Sequence, residues 1–142
     1  MPIPQIVVDT NAFVTALLSQ KGASYRLLLL ADSGLFSMNL SVPLVVEYED
    51  AARRVLSQTA LTEEDLNNIL DYLCQVGNRQ PIYYLWRPFL RDLKDDMVLE
   101  LAVAAGCKFI VTFNQKDFVG VEVFGIEVVT PKEFLRQIGQ VP

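Results

Sequence analysis

Short apolar runs alternate with longer segments of helical periodicity along the whole chain. The runs are rich in β-branched or aromatic residues, which favour strands. The predicted strands cover residues 5–9, 35–40, 81–86, 108–112 and 126–130. Helices that separate strands in this way are typical of crossover connections between parallel strands. The pattern therefore predicts an α/β fold with a mostly parallel sheet.

The segments between the strands carry apolar residues at helical spacing and recognisable end signals. Thr62 is a predicted N-cap, Asp65 is placed to complete a capping box with it, and Gly77 is predicted to end that helix. The predicted helices cover residues 12–18, a stretch from Tyr25 that ends before Gly34, residues 42–56, the stretch from Thr62 to Gly77, residues 95–105 and residues 131–138. We predict a three-layer α/β/α sandwich that forms one domain over residues 1–142.

Composition restricts the chemistry more than it restricts the fold. The 142 residues are 51% hydrophobic and include no histidine, which excludes Ser-His-Asp triads and the common histidine zinc sites. Catalysis would then depend on carboxylates, hydroxyls, a lysine or a bound metal. The net charge of −5 gives no general attraction for nucleic acid. A nucleic-acid enzyme of this composition needs bound cations or a local basic patch.

Cysteine usage and hydropathy indicate the compartment. Cys74 and Cys107 lie far apart and form no metal-ligand pattern, so we predict two buried free thiols in a reducing cytosol. The longest apolar runs, such as residues 27–31, are too short to span a bilayer, and the sequence starts with no secretion signal. The expected location is the cytoplasm, without membrane contact.

Acidic or amide side chains follow four of the predicted strands. They are Asp9, Glu47, the pair Asp95 and Asp96, Asn114 and Asp117. Because the carboxyl ends of parallel strands meet at one edge of a sheet, we expect these side chains to converge there. Oxygen atoms are the ligands that Mg²⁺ prefers, and ions held in this way activate water for phosphodiester cleavage.

Several of these residues also have a purely structural interpretation. Helix capping competes for Asp95 and Asp96, because acids in a first helical turn favour the macrodipole. Asp117 also fits a turn. Asp9 is different, because a carboxylate at the end of an apolar strand is costly without a ligand or partner. Glu100 is expected to be a solvated or secondary residue rather than a ligand.

Four stretches together resemble the PIN domain, the fold of ribonuclease toxins in prokaryotic toxin–antitoxin pairs (VapC-like). They are residues 7–11 (VVDTN), 41–47 (SVPLVVE), 91–102 (RDLKDDMVLELA) and 110–118 (IVTFNQKDF). The resemblance covers nearly the whole chain, and it implies that Asp9, Glu47 and Asp96 are the main metal-binding and catalytic acids. Asp95 is the alternative to Asp96, because the match does not fix the register of that pair.

The resemblance also implies supporting roles. Thr10 or Asn11 would orient Asp9 and its waters, and Thr112 matches the hydroxyl that precedes the fourth acid of the family. The chain departs from the pattern at Asn114, where many PIN domains have Asp and where an amide contributes no charge. The alternatives are then a single bound metal ion, with Asn114 as a ligand, or a supporting role for Asp117.

The activity implied is Mg²⁺- or Mn²⁺-dependent hydrolysis of RNA phosphodiester bonds. Arg54 and Arg91 are the predicted phosphate contacts, from a basic group that also includes Arg53, Arg87 and Lys94. The resemblance further implies a toxin that pairs with a cognate antitoxin and forms a homo-oligomer.

Two other interpretations compete with this one. A phosphatase or receiver-type aspartyl-phosphate domain also has an Asp after its first strand, but the phosphatase pattern has a second Asp where this chain has Asn11. A PIN-like module with a decayed site, acting through partner binding, is supported by Asn114 and by the low basic content. Metal binding and RNA cleavage distinguish the decayed module from a working enzyme.

Overall fold

A computed structural model describes residues 3–81 and 89–140 and shows five parallel strands in one sheet. The strands are β1 (Gln5–Val8), β2 (Ser37–Leu40), β3 (Asn78–Arg79), β4 (Phe109–Val111) and β5 (Glu127–Val129). Their order across the sheet is β3-β2-β1-β4-β5, and every neighbouring pair is parallel. Strands β2 and β3 therefore extend the sheet on one side of β1, and β4 and β5 extend it on the other.

Six α-helices in these same residues flank the sheet. They are α1 (Thr10–Leu18), α2 (Ala23–Leu29), α3 (Val42–Val55), α4 (Glu63–Val76), α5 (Leu93–Ala104) and α6 (Pro131–Gln137). Helix α5 packs against β1, β2 and β4, while α1 packs against α2 and α3, and α2 against α6. The predicted three-layer α/β/α sandwich with a parallel sheet is confirmed.

The two inner strands β1 and β4 form the centre of the core. Ile6, Val7, Ile110 and Val111 are completely buried, and Val8 is 1% exposed. Continuous apolar runs of this kind are expected where helices cover both faces of a parallel sheet. Burial of each such side chain stabilises the fold by about 1.5–3 kcal/mol. The ends of these strands are therefore well-fixed positions from which to present a functional side chain.

The predicted ends of α4 are confirmed. Thr62 and Asp65 form the capping box, with Oγ1 of Thr62 accepting from the Asp65 amide at 3.1 Å and Oδ2 of Asp65 accepting from the Thr62 amide at 2.9 Å. Gly77 follows the last turn of the helix. A Cβ at this glycine would lie 2.8 Å from the carbonyl oxygen of Leu73 and 3.0 Å from Cδ1 of Leu40. Only glycine allows the end of α4 to approach β2 so closely.

Strand β3 lies earlier than the strand predicted over residues 81–86. Asn78 and Arg79 pair with β2, Pro81 belongs to no strand, and the rest of the predicted range lies outside the described residues. Gly77 brings the chain directly to the edge of β2, so pairing begins at the next residue. Both residues of β3 are exposed, and two exposed polar residues carry no hydrophobic pattern.

The beginning of α5 also differs from the prediction. The helix begins at Leu93 rather than at Asp95, because Oδ1 of Asp92 accepts a hydrogen bond from the Lys94 amide at 2.8 Å and caps the helix. Glu100 was expected to be a solvated or a secondary residue, and its exposure of only 7% on α5 contradicts the solvated alternative alone. The earlier start adds about half a turn to the helix and makes Asp92 its N-cap.

Helix α2 ends sooner than predicted. Its last residue is Leu29, and the stretch up to Gly34 is a series of turns. The carbonyl oxygen of Leu30 accepts hydrogen bonds from the amide of Ser33 at 2.9 Å and from its hydroxyl at 2.6 Å. A serine that satisfies a nearby carbonyl in this way competes with helical hydrogen bonding.

Both cysteines are free thiols, Cys107 buried and Cys74 half-buried. The predicted burial is therefore confirmed for Cys107 alone. Burial raises the pKa of the Cys107 thiol to about 12, which keeps it protonated and unreactive. Within the described ranges, no helix has the length and apolar character needed to cross a bilayer.

The strand order creates a switch point between β1 and β4. The amide of Asp9 donates to the carbonyl oxygen of Val111 at 2.8 Å, so the two strand ends lie side by side. In open parallel sheets, ligands bind outside the carboxyl ends of the strands at such a point. Asp9 and Thr112, which directly follow β1 and β4, therefore stand where a functional site is expected.

Candidate active site

Asp9 is a buried carboxylate whose two oxygens both accept hydrogen bonds. It is 7% exposed and caps α1, with Oδ1 accepting from the Thr10 amide at 2.8 Å. Oδ2 accepts from Nδ2 of Asn11 at 3.0 Å and from Oγ1 of Thr112 at 2.8 Å. Burial raises the pKa of Asp9 above its ordinary value, while the hydrogen bonds from Thr112 and Thr10 oppose that rise.

Asn11 and Thr112 hold this carboxylate in one orientation. Nδ2 of Asn11 also donates to Oγ1 of Thr112 at 3.0 Å, and Oδ1 of Asn11 accepts from the Phe113 amide at 3.0 Å. The Asn114 amide donates to Oγ1 of Thr112 at 3.0 Å. These bonds join the ends of β1 and β4. They are the contacts that an orienting role requires, and the role itself stays a prediction.

Carboxylates from two further segments act on Asp9 electrostatically. Asp117 and Asp92 both raise the pKa of Asp9. Asp95 is half-buried, and burial raises its pKa to about 7, with further contributions from Asp9, Asp92, Asp117 and Asp96. Carboxylates that raise one another's pKa in this way repel one another at neutral pH. The arrangement concentrates negative charge beside Asp9.

Asp96 has a different environment from Asp95. It is 9% exposed, and its Oδ1 accepts hydrogen bonds from the backbone amides of Phe89 at 3.1 Å and Leu90 at 2.8 Å. Its Oδ2 is buried, with no hydrogen-bond partner among the residues that the structure describes. Asp96 therefore holds the segment that leads into α5, whereas Asp95 lines the open cleft described below.

Glu47 lies in the second turn of α3 and is held close to α5. Its Oε1 is 3.2 Å from Nζ of Lys94, and its side chain is 18% exposed. The next residue, Tyr48, is completely buried, stacks on Phe13 and donates its hydroxyl hydrogen bond to the carbonyl oxygen of Val8. Tyr48 thus fixes α3 against the end of β1, directly before Asp9.

An open cleft of about 680 Å³ lies at the acidic side of the site. Its charged lining residues are Asp92, Asp95 and Asp117, with Arg91 and Lys116 as the basic members. Asp117 enters this lining from a 3-10 turn, Gln115–Phe118, that replaces part of the predicted loop. The cleft therefore combines carboxylates with two cationic side chains, a distribution that suits a metal-bound phosphate.

The predicted basic residues separate into two groups. Arg91 lines the cleft, while Arg54 pairs with Asp50 at 2.6 Å on the exposed surface. Arg53 pairs with Glu63 at 2.6 Å. Arg87 lies outside the described residues. Exposed ion pairs contribute little to stability, so the Arg53 and Arg54 pairs are ordinary surface contacts.

The carboxylates do not form a ready-made metal centre. In the part of the chain that the structure describes, no group of three or more Asp, Glu or Cys side chains is arranged to hold an ion. Asn114, a predicted ligand, is exposed and lies two residues after Thr112. The metal-ligand roles of Asp9, Glu47, Asp96, Asn114 and Asp117 accordingly stay predictions.

Sequence reasoning did not assign roles to four residues at this site. Lys116 and Phe89 line the cleft, Asp92 caps α5 and acts on Asp9, and Tyr48 fixes α3. The spacing of Asp92 and Asp95 contained a usable signal, because residues three apart share a helical face. Lys116, in contrast, lies in a stretch without periodicity.

Comparison with known proteins adds one positive finding. A search of curated proteins finds no match. A family model described as PIN domain matches residues 5–116, a range that includes Asp9, Glu47, Asp95, Asp96 and Asn114 and ends just before Asp117. PIN domains are usually nucleases, and those nucleases typically use divalent metals. Since the match extends over most of the sequence, the chain belongs to the PIN domain family.

Proposed function

We propose that this protein is a Mg²⁺- or Mn²⁺-dependent endoribonuclease. The observation that carries the proposal is the convergence of Asp9 with Asp92, Asp95 and Asp117 beside a cleft that also contains cationic side chains. Asp9 and Asp95 both have raised pKa values, in part because neighbouring carboxylates repel them. A bound cation is the simplest way to relieve that repulsion.

The donors present fit a hard divalent cation. They are carboxylate oxygens, and the site contains no thiolate or imidazole that would favour a softer metal. The buried Oδ2 of Asp96 is one further oxygen without a hydrogen-bond partner in the described residues. We propose that Asp9, Glu47 and Asp95 bind the metal. Asp95 takes the place that the resemblance gave to Asp96 because Asp95 lines the cleft, and Asp96 stays as the alternative.

Different residues would have different roles in the proposed reaction. Asn11 and Thr112 hold the carboxylate of Asp9 in its orientation, and Arg91 and Lys116 bind phosphate oxygens of the substrate. When bound, the metal ion supplies Lewis-acid chemistry, polarising the scissile phosphate and lowering the pKa of a water molecule. Glu47 can offer Oε2 to the metal while its Oε1 pairs with Lys94, or both oxygens once that ion pair opens.

The direct test is cleavage of a panel of structured and single-stranded RNAs with Mg²⁺ or Mn²⁺. We expect cutting that disappears with EDTA and falls about a thousandfold in Asp9→Asn, because several kcal/mol of transition-state stabilisation are lost. Asp71→Asn, an exposed acid on α4, serves as the matched control. Full activity of Asp9→Asn would remove this residue from the active site.

A second candidate function is a decayed module that acts through a partner. It is favoured by Asn114 and by the engagement of Glu47 with Lys94 at 3.2 Å. Absence of both cleavage and binding of either metal would select this alternative.

The cellular role proposed on the resemblance alone is that of a toxin that forms a homo-oligomer and is neutralised by a cognate antitoxin. Growth arrest on expression of the wild-type chain tests this role, with Asp9→Asn expected to be harmless. Arrest by both forms, or by neither, would count against it.

A further inference from the structure

One aromatic side chain stands beside the charged groups of the cleft. Phe89 lines the cleft together with Arg91 and Lys116, and it is 46% exposed. Asp95 and Asp117 line the same space, so the phenyl ring lies next to the proposed reaction site. A large apolar side chain left this exposed in a polar cleft requires an explanation.

Phe89 is held in position in spite of its exposure. Its backbone amide donates to Oδ1 of Asp96 at 3.1 Å, and its ring meets the ring of Phe124 edge to face, with centroids 5.3 Å apart. Gly120 lies against the same ring with a φ of +100°, and a Cβ there would come within 3.4 Å of the ring. A ring that lies against Phe124 and Gly120, on a backbone anchored to Asp96, loses little conformational freedom when a ligand binds it.

We infer that Phe89 is a stacking platform for an unpaired base of single-stranded RNA, whose phosphates contact Arg91 and Lys116. This inference rests on the proposed ribonuclease function. An aromatic face beside cationic groups is the arrangement by which proteins bind single strands, because every unpaired base has a face available for stacking. Bases in a duplex are already stacked on their neighbours and cannot reach the ring.

A protein partner is the competing occupant of this surface. Phe124, Val119 and Val123 are also exposed, so the ring belongs to a partly apolar area. The cleft itself contains two cationic and three acidic side chains, and charged residues are depleted from the centres of protein interfaces. The charges therefore favour a polyanion that is bound together with a metal ion.

The experiment measures binding of a labelled single-stranded RNA and of the matching duplex by fluorescence anisotropy. The full chain carries Asp9→Asn to prevent cutting, at a Mn²⁺ concentration that saturates this weakened site. It is compared with the same chain carrying Phe89→Leu or Phe89→Tyr. We expect Phe89→Leu to weaken single-strand binding about tenfold and Phe89→Tyr to restore it to within about twofold. Duplex binding should be equal in all three proteins.

Thermal melting separates a binding effect from misfolding, and Phe89→Tyr provides a second control. Equal single-strand affinity of the parent and Phe89→Leu would overturn the inference and leave the ribonuclease proposal standing. A change in oligomeric state with unchanged RNA affinity would also overturn it, and would assign the surface to protein contact. If the wild-type chain cuts no RNA and the Asp9→Asn chain binds none, both proposals fail together.

Discussion

Asp9 at the end of β1 and Asp95 on α5 interact electrostatically, and their surroundings differ. Asp9 is 7% exposed and accepts hydrogen bonds from Thr10, Asn11 and Thr112. Asp95 is half-buried, lines the open cleft, and has a pKa raised to about 7 by burial and by neighbouring carboxylates. Burial and neighbouring carboxylates raise the pKa of both residues, but at Asp9 hydrogen bonds from Thr112 and Thr10 oppose that rise.

This difference indicates how the two sides would be used. Hydrogen bonds from neutral donors favour the ionised form of Asp9 and fix its direction, as ligand-orienting groups do around metals. Burial and, to a smaller extent, the neighbouring carboxylates disfavour the ionised form of Asp95, and a bound cation would relieve that cost. Under the proposed function, the β1 side would be in place before a metal binds, and the α5 side would be completed by the metal. Substitutions on each side should have correspondingly different effects.

Among the substitutions that compare the two sides, the largest effect is expected at Thr112, a hydrogen-bond donor to Asp9. Thr112→Val keeps the shape of the side chain but removes the 2.8 Å hydrogen bond to Asp9. Loss of such an orienting partner lowers metal affinity or activity about ten- to a hundredfold. Steady-state cleavage rates measure this loss. The control is Thr59→Val, which also removes a hydrogen-bonded hydroxyl, but in the connection between α3 and α4. Equal rates for Thr112→Val and wild type would show that orientation of Asp9 is unimportant.

A smaller effect should distinguish Asp96 from Asp95. Asp96→Ala leaves the amides of Phe89 and Leu90 without their acceptor, and we expect a loss of about 1–3 kcal/mol in the free energy of unfolding. Asp95→Ala touches neither amide and should show no such loss. Urea denaturation of the metal-free proteins measures both. Similar destabilisation by the two substitutions would contradict the separation of their roles.

The smallest effect is a pH-dependent gain in stability. The pKa of Asp95 is about 7 in the folded protein against an ordinary value of 3.8, so between these values the folded state binds more protons than the unfolded state. Ionisation of Asp95 therefore lowers the free energy of unfolding as pH rises through this window, and the full loss of stability is present above about pH 7.

Asp95→Asn removes that cost. The variant should melt a few degrees above wild type at pH 8 without metal, and the difference should shrink toward zero at pH 4. Asp71→Asn controls for the change in net charge. A melting temperature of Asp95→Asn that is unchanged at pH 8, or a gain that grows on acidification, would contradict the crowding of carboxylates.

The fold and the position of Asp9 at the end of β1 could be predicted from the sequence for the same reason. Three consecutive apolar, β-branched residues that end on Asp9 favour an inner strand with a charge at its end, and the capping box at Thr62 and Asp65 is a local signal. Such features depend on a few neighbouring residues. The confirmed predictions, including the sheet and the layers, are of this type.

The roles of the acids at the start of α5 were harder to predict, because they depend on contacts that the local sequence does not show. An acid at a helix start looks the same whether it caps the helix, as Asp92 does, accepts backbone amides, as Asp96 does, or lines a cleft, as Asp95 does. The short strand β3 was missed for a related reason, since its two residues are exposed. Lys116 reaches the cleft through a 3-10 turn that has no hydrophobic pattern.

The most direct test is a calorimetric titration with Mn²⁺ at pH 8, with wild type, Asp9→Asn, Asp95→Asn and the control Asp71→Asn. If both sides of the site share one ion, Asp9→Asn and Asp95→Asn should each weaken Mn²⁺ binding at least about tenfold. Asp71→Asn should bind as wild type does. Unchanged Mn²⁺ affinity in Asp9→Asn and Asp95→Asn, or no Mn²⁺ binding by the wild-type chain, would contradict the account.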